Sequence, residues 1–151
     1  MSRPVLTSTF DPAVYEYSDR AIKDGIDNSI PADLLPKIEA HFTHIVAPCL
    51  AQFPGLVLSS GYRSPALNTA VGSKTTKSQH TRGEAADLDV DDKDLQALYN
   101  FILRNVNYDQ IIYESYGGKR WVHCSYVEDG RRASHLRTDD GKTFAVQEFF
   151  A

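Results

Sequence analysis

One ten-residue stretch, Ser78-Gln79-His80-Thr81-Arg82-Gly83-Glu84-Ala85-Ala86-Asp87, constrains the chain more than any other. It sets an imidazole and a carboxylate seven positions apart, with a glycine and two alanines between them. On a continuous helix these two side chains fall on roughly the same side, but two turns apart and too distant to share one small ion. A loop that turns at Gly83 and then enters a strand brings them to one point. Residues 86–90, Ala-Asp-Leu-Asp-Val, alternate small or acidic with apolar, the period of a half-buried strand. Asp87 and Asp89 then lie on one face of that strand, Leu88 and Val90 on the other. A second imidazole, in Trp121-Val122-His123, is available as a third ligand. Two His and one carboxylate with an open fourth position describe a catalytic rather than a structural zinc site, with one zinc ion per chain.

At 151 residues the chain reads as a single domain, 1–151, large enough to bury a core without staples. A hydrophobic content of 42% beside 24% charged residues is that of a soluble globular protein. The net charge of -4, with no basic run, gives no reason to expect nucleic acid as a partner. The amino end lacks the apolar run of a secretion signal, and no stretch is long and apolar enough to cross a bilayer. The expectation is synthesis in the cytoplasm, with release at lysis or carriage on a virion as routes outward. Two cysteines are too few for a disulfide framework, and Cys49 belongs to an apolar helical pattern. No oligomer is implied.

Along the chain, 10–17 reads as an extended or irregular lead-in, followed by a short helix that Ser18 caps and Gly25 stops. Asn28 is available to bond nearby backbone. The clearest helix spans 31–53, where Leu34, Ile38, Phe42, Ile45, Val46, Cys49 and Phe53 recur at three- and four-residue spacing. Pro36 fits its first turn, and Pro48 should bend or interrupt it. His41 and His44, without acidic partners at one-turn spacing, read as surface or groove residues. Residues 56–60 form a short strand, Ser64 caps a small helix from Pro65, and 71–77 is a polar loop facing substrate. Asp91 or Asp92 caps a second amphipathic helix. Residues 110–114 and 121–126 are strands of a hairpin, and 143–149 is a candidate edge strand. His135 reads as an exposed residue beyond the sheet.

Strand alternation tests which residues meet. With the hairpin loop centred on Gly117-Gly118, Glu114 pairs with Trp121 and Ile112 with His123. Gln110, Ile112 and Glu114 then share a face with Trp121, His123 and Ser125, while Tyr113, Val122 and Cys124 point the other way. Glu114 becomes a carboxylate near His123, and Cys124 leaves the ligand set.

Ser59-Ser60-Gly61-Tyr62-Arg63-Ser64, Ser78-Gln79-His80 through Asp87, Tyr108-Asp109-Gln110 with Glu114, and Trp121-Val122-His123 together resemble the zinc D-alanyl-D-alanine carboxypeptidase family. Gly25-Ile26-Asp27-Asn28 and Leu67-Asn68 are similar to its short single-domain branch, common in phages and bacteria. The resemblance implies zinc held by His80, Asp87 and His123. It also implies an α+β fold in which an antiparallel sheet carries the metal and helices cover its back, related to the Hedgehog signalling fold. The implied substrates are peptides of the bacterial cell wall, cut by a carboxypeptidase or an endolysin-type endopeptidase. Many relatives keep an acid three residues before the last zinc His, where this chain has Arg120. The base is therefore expected to be Glu114, with Asp89 and Glu84 in reserve.

A zinc site of this kind needs a carboxylate to move the proton of water to the leaving amine. The competing reading of Glu114 is a salt bridge to Lys119 or Arg120. Arg63 has the planar fork to grip a substrate carboxylate or an oxyanion, or else pairs with Asp87, Asp89 or an acidic loop residue. Ser78 and Gln79 are candidates to bind substrate backbone, with Ser78 alternatively only shaping the turn, and Trp121 either walls the site or packs in the sheet. A non-catalytic zinc module of a phage tail or wall-binding protein is the alternative from another class, and hydrolysis of other small amides a third.

Overall fold

A computed structural model describes residues 2–138 and 142–145. The lead-in expected to be extended or irregular holds a helix, α1 (Pro12–Glu16), because Asp11 accepts from the Ala13 N–H at 3.0 Å and Pro12 supplies a preset first turn. Ser18 caps α2 (Asp19–Asp24), and Gly25 ends it in the left-handed conformation. A 3-10 turn, Ala32–Leu34, leads into α3 (Leu35–His41) and then, through a π-helical segment at Phe42–Val46, into α4 (Ala47–Gln52). Pro48 brings no N–H to the helical ladder, and the wider π turn just before it takes up the mismatch without ending the helical run.

The sheet starts with β1 (Val57–Ser60), followed by α5 (Pro65–Ala70) and β2 (Ala85–Asp89). Next come α6 (Asp92–Asn105), the hairpin β3 (Gln110–Tyr116) and β4 (Lys119–Ser125), β5 (Ala133–Arg137) and β6 (Thr143–Ala145). The spatial order is β1-β2-β4-β3-β5-β6, and every pairing is antiparallel except β3 with β5. The protein is thus α+β with a mostly antiparallel sheet. The edge strand expected at 143–149 is present over 143–145, and residues 146–149 lie outside the described residues.

Leu58, Leu88, Val122, Cys124, Ile111 and Tyr113 alternate onto the back of the sheet. There they pack with Ile38, Ile45, Val46 and Cys49 of the helical run and with Leu95, Leu98 and Ile102 of α6. Each such buried aliphatic side chain contributes about 1.5–3 kcal/mol. The same alternation sends Asp87, His123, Trp121 and Glu114 to the front.

Two histidines differ from expectation. His41 is fully buried, with Tyr15 Oη 2.7 Å from its Nδ1 and the Cys124 carbonyl 3.0 Å from its Nε2. Its partners come from α1 and β4, so no local spacing could reveal them. His44 is exposed, as expected, and stacks on Tyr126 at 4.2 Å. His135 lies within the sheet, half-buried on β5 opposite Ile112, with its Nδ1 3.5 Å from Gln110 Nε2.

Candidate metal centre

The ligand loop is built by local bonds. Ser78 Oγ accepts from the His80 N–H at 3.2 Å and starts a 3-10 turn, Gln79–Arg82. Gly83 ends that turn at a φ of +72°, a conformation that side chains with a Cβ rarely adopt. A Cβ there would also lie 3.0 Å from Ile38 Cγ1. The chain then enters β2 and places His80 back beside Asp87.

His80 Nδ1 lies 2.7 Å from the Gly61 carbonyl, so a proton on Nδ1 is donated there and the Nε2 lone pair stays free for a cation. Gly61 packs this closely against α1 because it has no side chain. A Cβ would sit 2.7 Å from both Cα and O of Tyr15, whose carbonyl accepts from the Tyr62 N–H at 2.9 Å. An irregularity between Leu58 and Ser60 in β1 brings Ser60 opposite Asp87 and delivers the following turn to the same face.

His80 Nε2 is 3.4 Å and His123 Nδ1 3.1 Å from Asp87 Oδ1, and the ligand atoms of all three residues lie within 4.8 Å of one another. A tetrahedral ion with bonds of roughly 2.0–2.1 Å separates its ligand atoms by about 3.3 Å, so the donor set fits a small divalent cation after minor adjustment. All three residues are buried. Burial pushes the Asp87 carboxyl up, but His80 and His123 beside it outweigh this and hold it well below the usual carboxylate range. The charged form a metal needs is therefore the one the site favours.

Arg63 reaches the same carboxylate. Its Nη2 is 3.7 Å from Asp87 Oδ2, while Nε and Nη1 donate at 3.2 Å to Ser60 Oγ and Asn68 Oδ1. Asn28 fixes this turn by donating to the carbonyls of Glu16 and Tyr62 and accepting from the Ser64 N–H at 2.7 Å.

Glu114 stands opposite Trp121, and Ile112 opposite His123, as the hairpin register required. Burial first, and the Asp87 charge second, raise the Glu114 carboxyl above its ordinary value. Its ion-pair partner is neither Lys119 nor Arg120 but Arg137, at 3.7 Å. Arg120 points to the helical side of the sheet and pairs with Asp92 at the start of α6, at 3.2 Å. Three positions before His123 on the same strand, Arg120 falls on the opposite face of the sheet. The Trp121 indole N–H is buried without a hydrogen-bond partner among the described residues. A cleft of about 1190 Å³ lies over this face, lined among others by Arg63, Gln79, Glu114, Trp121 and Arg137.

Ser78 shapes the turn, and the Gln79 amide is engaged inside the protein. Gln79 Nε2 donates to Asp109 Oδ2 at 3.0 Å and to Glu84 Oε1 at 3.3 Å. Asp109, only 1% exposed, also accepts from Ser125 Oγ at 2.8 Å and from Arg131 through its backbone and side chain. Glu84, a reserve base in the sequence reading, is held by Lys37 and Arg82. Asp109 was visible only within a motif, although the hairpin register places it beside Ser125. Arg131 and Arg137 left no sequence signal.

A sequence model of the family described as Peptidase M15 matches residues 8–125, most of the chain and all of the residues of the His80-Asp87-His123 group. No curated protein matches the chain.

Proposed function

The chain belongs to the peptidase M15 family, and from that premise we propose that it is a zinc-dependent hydrolase of peptidoglycan peptides. The actions we favour are those of a D-Ala-D-Ala carboxypeptidase or an endolysin-type endopeptidase, in a fold of the Hedgehog/DD-peptidase kind. Membership implies a metallopeptidase. The observation that carries the finer reading is the buried His80-Asp87-His123 group with Glu114 on the same face of the sheet.

His80 Nε2, an Asp87 oxygen and His123 Nδ1 are the atoms that would hold zinc. Bound there, zinc supplies Lewis acidity, polarising a peptide carbonyl and lowering the pKa of water to about 7. Glu114 takes the proton of the attacking water and gives it to the leaving amine as the C–N bond breaks, so the hydroxyl stays on the carbonyl carbon. Its raised pKa suits a base that must also return the proton. Arg63, held by Ser60 and Asn68, offers positive charge to the developing oxyanion or to a substrate carboxylate. Trp121 walls the site.

The test is mass spectrometry of purified muropeptides after incubation with the protein. Chelation should abolish cleavage and added zinc restore it. Glu114→Gln should keep its metal and lose about 100-fold or more in turnover. Normal turnover by that variant would remove Glu114 from the mechanism. One zinc per chain with no muropeptide cleaved would favour a non-catalytic wall-binding module instead.

A further inference from the structure

Resting on the reading of Glu114 as the base, we propose that Arg137 is the positioning residue that holds the Glu114 carboxylate toward the metal face. The strand beyond the family-matched span would then be a working part of the site. The parallel pairing of β3 with β5 sets Arg137 directly beside Glu114, and Nη1 of one lies 3.7 Å from Oε2 of the other. The Glu114 side chain is 16% exposed and that of Arg137 41%. The matched residues end at 125, so β5 comes after them.

The groups facing Glu114 come from four elements. Asp87 on β2 repels it, while His123 on β4, Arg137 on β5 and Arg63 after β1 attract it. Arg63 is already committed to Ser60, Asn68 and Asp87. Among the described residues, Glu114 is the ion-pair partner of Arg137. A half-exposed pair of this kind adds little to folding. Its leverage lies instead in orienting one mostly buried carboxylate that burial and Asp87 would otherwise leave free to turn and take up a proton.

The register that makes this contact is anchored at its other end. The Asp109 carbonyl accepts from the Ala133 N–H at 2.9 Å, and its carboxylate accepts from the Arg131 N–H at 2.9 Å and from Nη2 at 2.8 Å. Asp109 immediately precedes β3. Both strands therefore start from one fixed point, and Arg137 arrives level with Glu114.

The experiment compares Arg137→Gln and Arg137→Lys in the zinc-loaded protein, each alone and with Glu114→Gln. Arg137→Gln should keep its zinc and its KM, lose about tenfold in kcat, and move the acid limb of kcat/KM to higher pH. Arg137→Lys should recover most of the loss. Carbon-13 NMR of the Glu114 carboxyl should show its titration midpoint rising in Arg137→Gln, a readout independent of turnover. In the Glu114→Gln background, removal of Arg137 should change nothing further. An unmoved acid limb and NMR midpoint, with Glu114→Gln inactive, would overturn the role of Arg137 while leaving the base in place. A fully active Glu114→Gln would overturn both.

Discussion

His80 and His41 are both buried, and each holds a backbone carbonyl with one ring nitrogen, Gly61 for the first and Cys124 for the second. They differ in the other nitrogen. Tyr15 Oη satisfies Nδ1 of His41, whereas Nε2 of His80 faces Asp87 at 3.4 Å, with His123 beside it. Burial therefore does not mark a ligand. A nitrogen left with a carboxylate and a second imidazole can bind a cation, while one closed by a hydroxyl donor fixes a neutral tautomer in a core.

The largest expected effect separates the two directly. His80→Ala should weaken zinc binding by more than about 100-fold and abolish hydrolysis. His41→Asn should retain stoichiometric zinc and instead lose about 3 kcal/mol of stability, because the Tyr15 hydroxyl and the Cys124 carbonyl lose a partner. Zinc content after dialysis and urea unfolding of each variant measure both. Loss of zinc in His41→Asn with an intact fold would erase the distinction.

A smaller effect sharpens it. Burial pushes His41 down to about 4, whereas the unfolded chain titrates near 6.5. Between those values the unfolded state holds a proton that the folded state does not. This contribution to stability is complete above pH 6.5 and is lost as pH falls toward 4, amounting to about 2 kcal/mol between pH 7 and 5. Urea unfolding of the zinc-free protein at the two pH values should show that fall. His41→Asn should show a shallower one, and an identical slope in both proteins would mean His41 is not the group responsible.

The parts of the molecule that were legible are those in which side-chain period alone decides. Leu88, Val90 and the two aspartates assigned the faces of β2, and the two-glycine loop left one register for Glu114 against Trp121. Where stability comes from distant partners, the chain gives no such pattern. Tyr15 lies 26 residues from His41, and Cys124 lies 83 away. β5, Ala-Ser-His-Leu-Arg, is half-buried throughout, without alternation, and its start is anchored by Asp109, which lies outside the strand. For the same reason Arg137 could not be anticipated beside Glu114. α1 is only five residues long and depends on its Asp11 cap.

The most direct measurement is anomalous diffraction at the zinc edge from crystals of the zinc-loaded protein. The expected map has one strong peak per chain, about 2 Å from His80 Nε2, an Asp87 carboxylate oxygen and His123 Nδ1, facing the cleft beside Glu114. A peak held by other side chains, or none between these three in protein that cleaves muropeptides, would contradict the site.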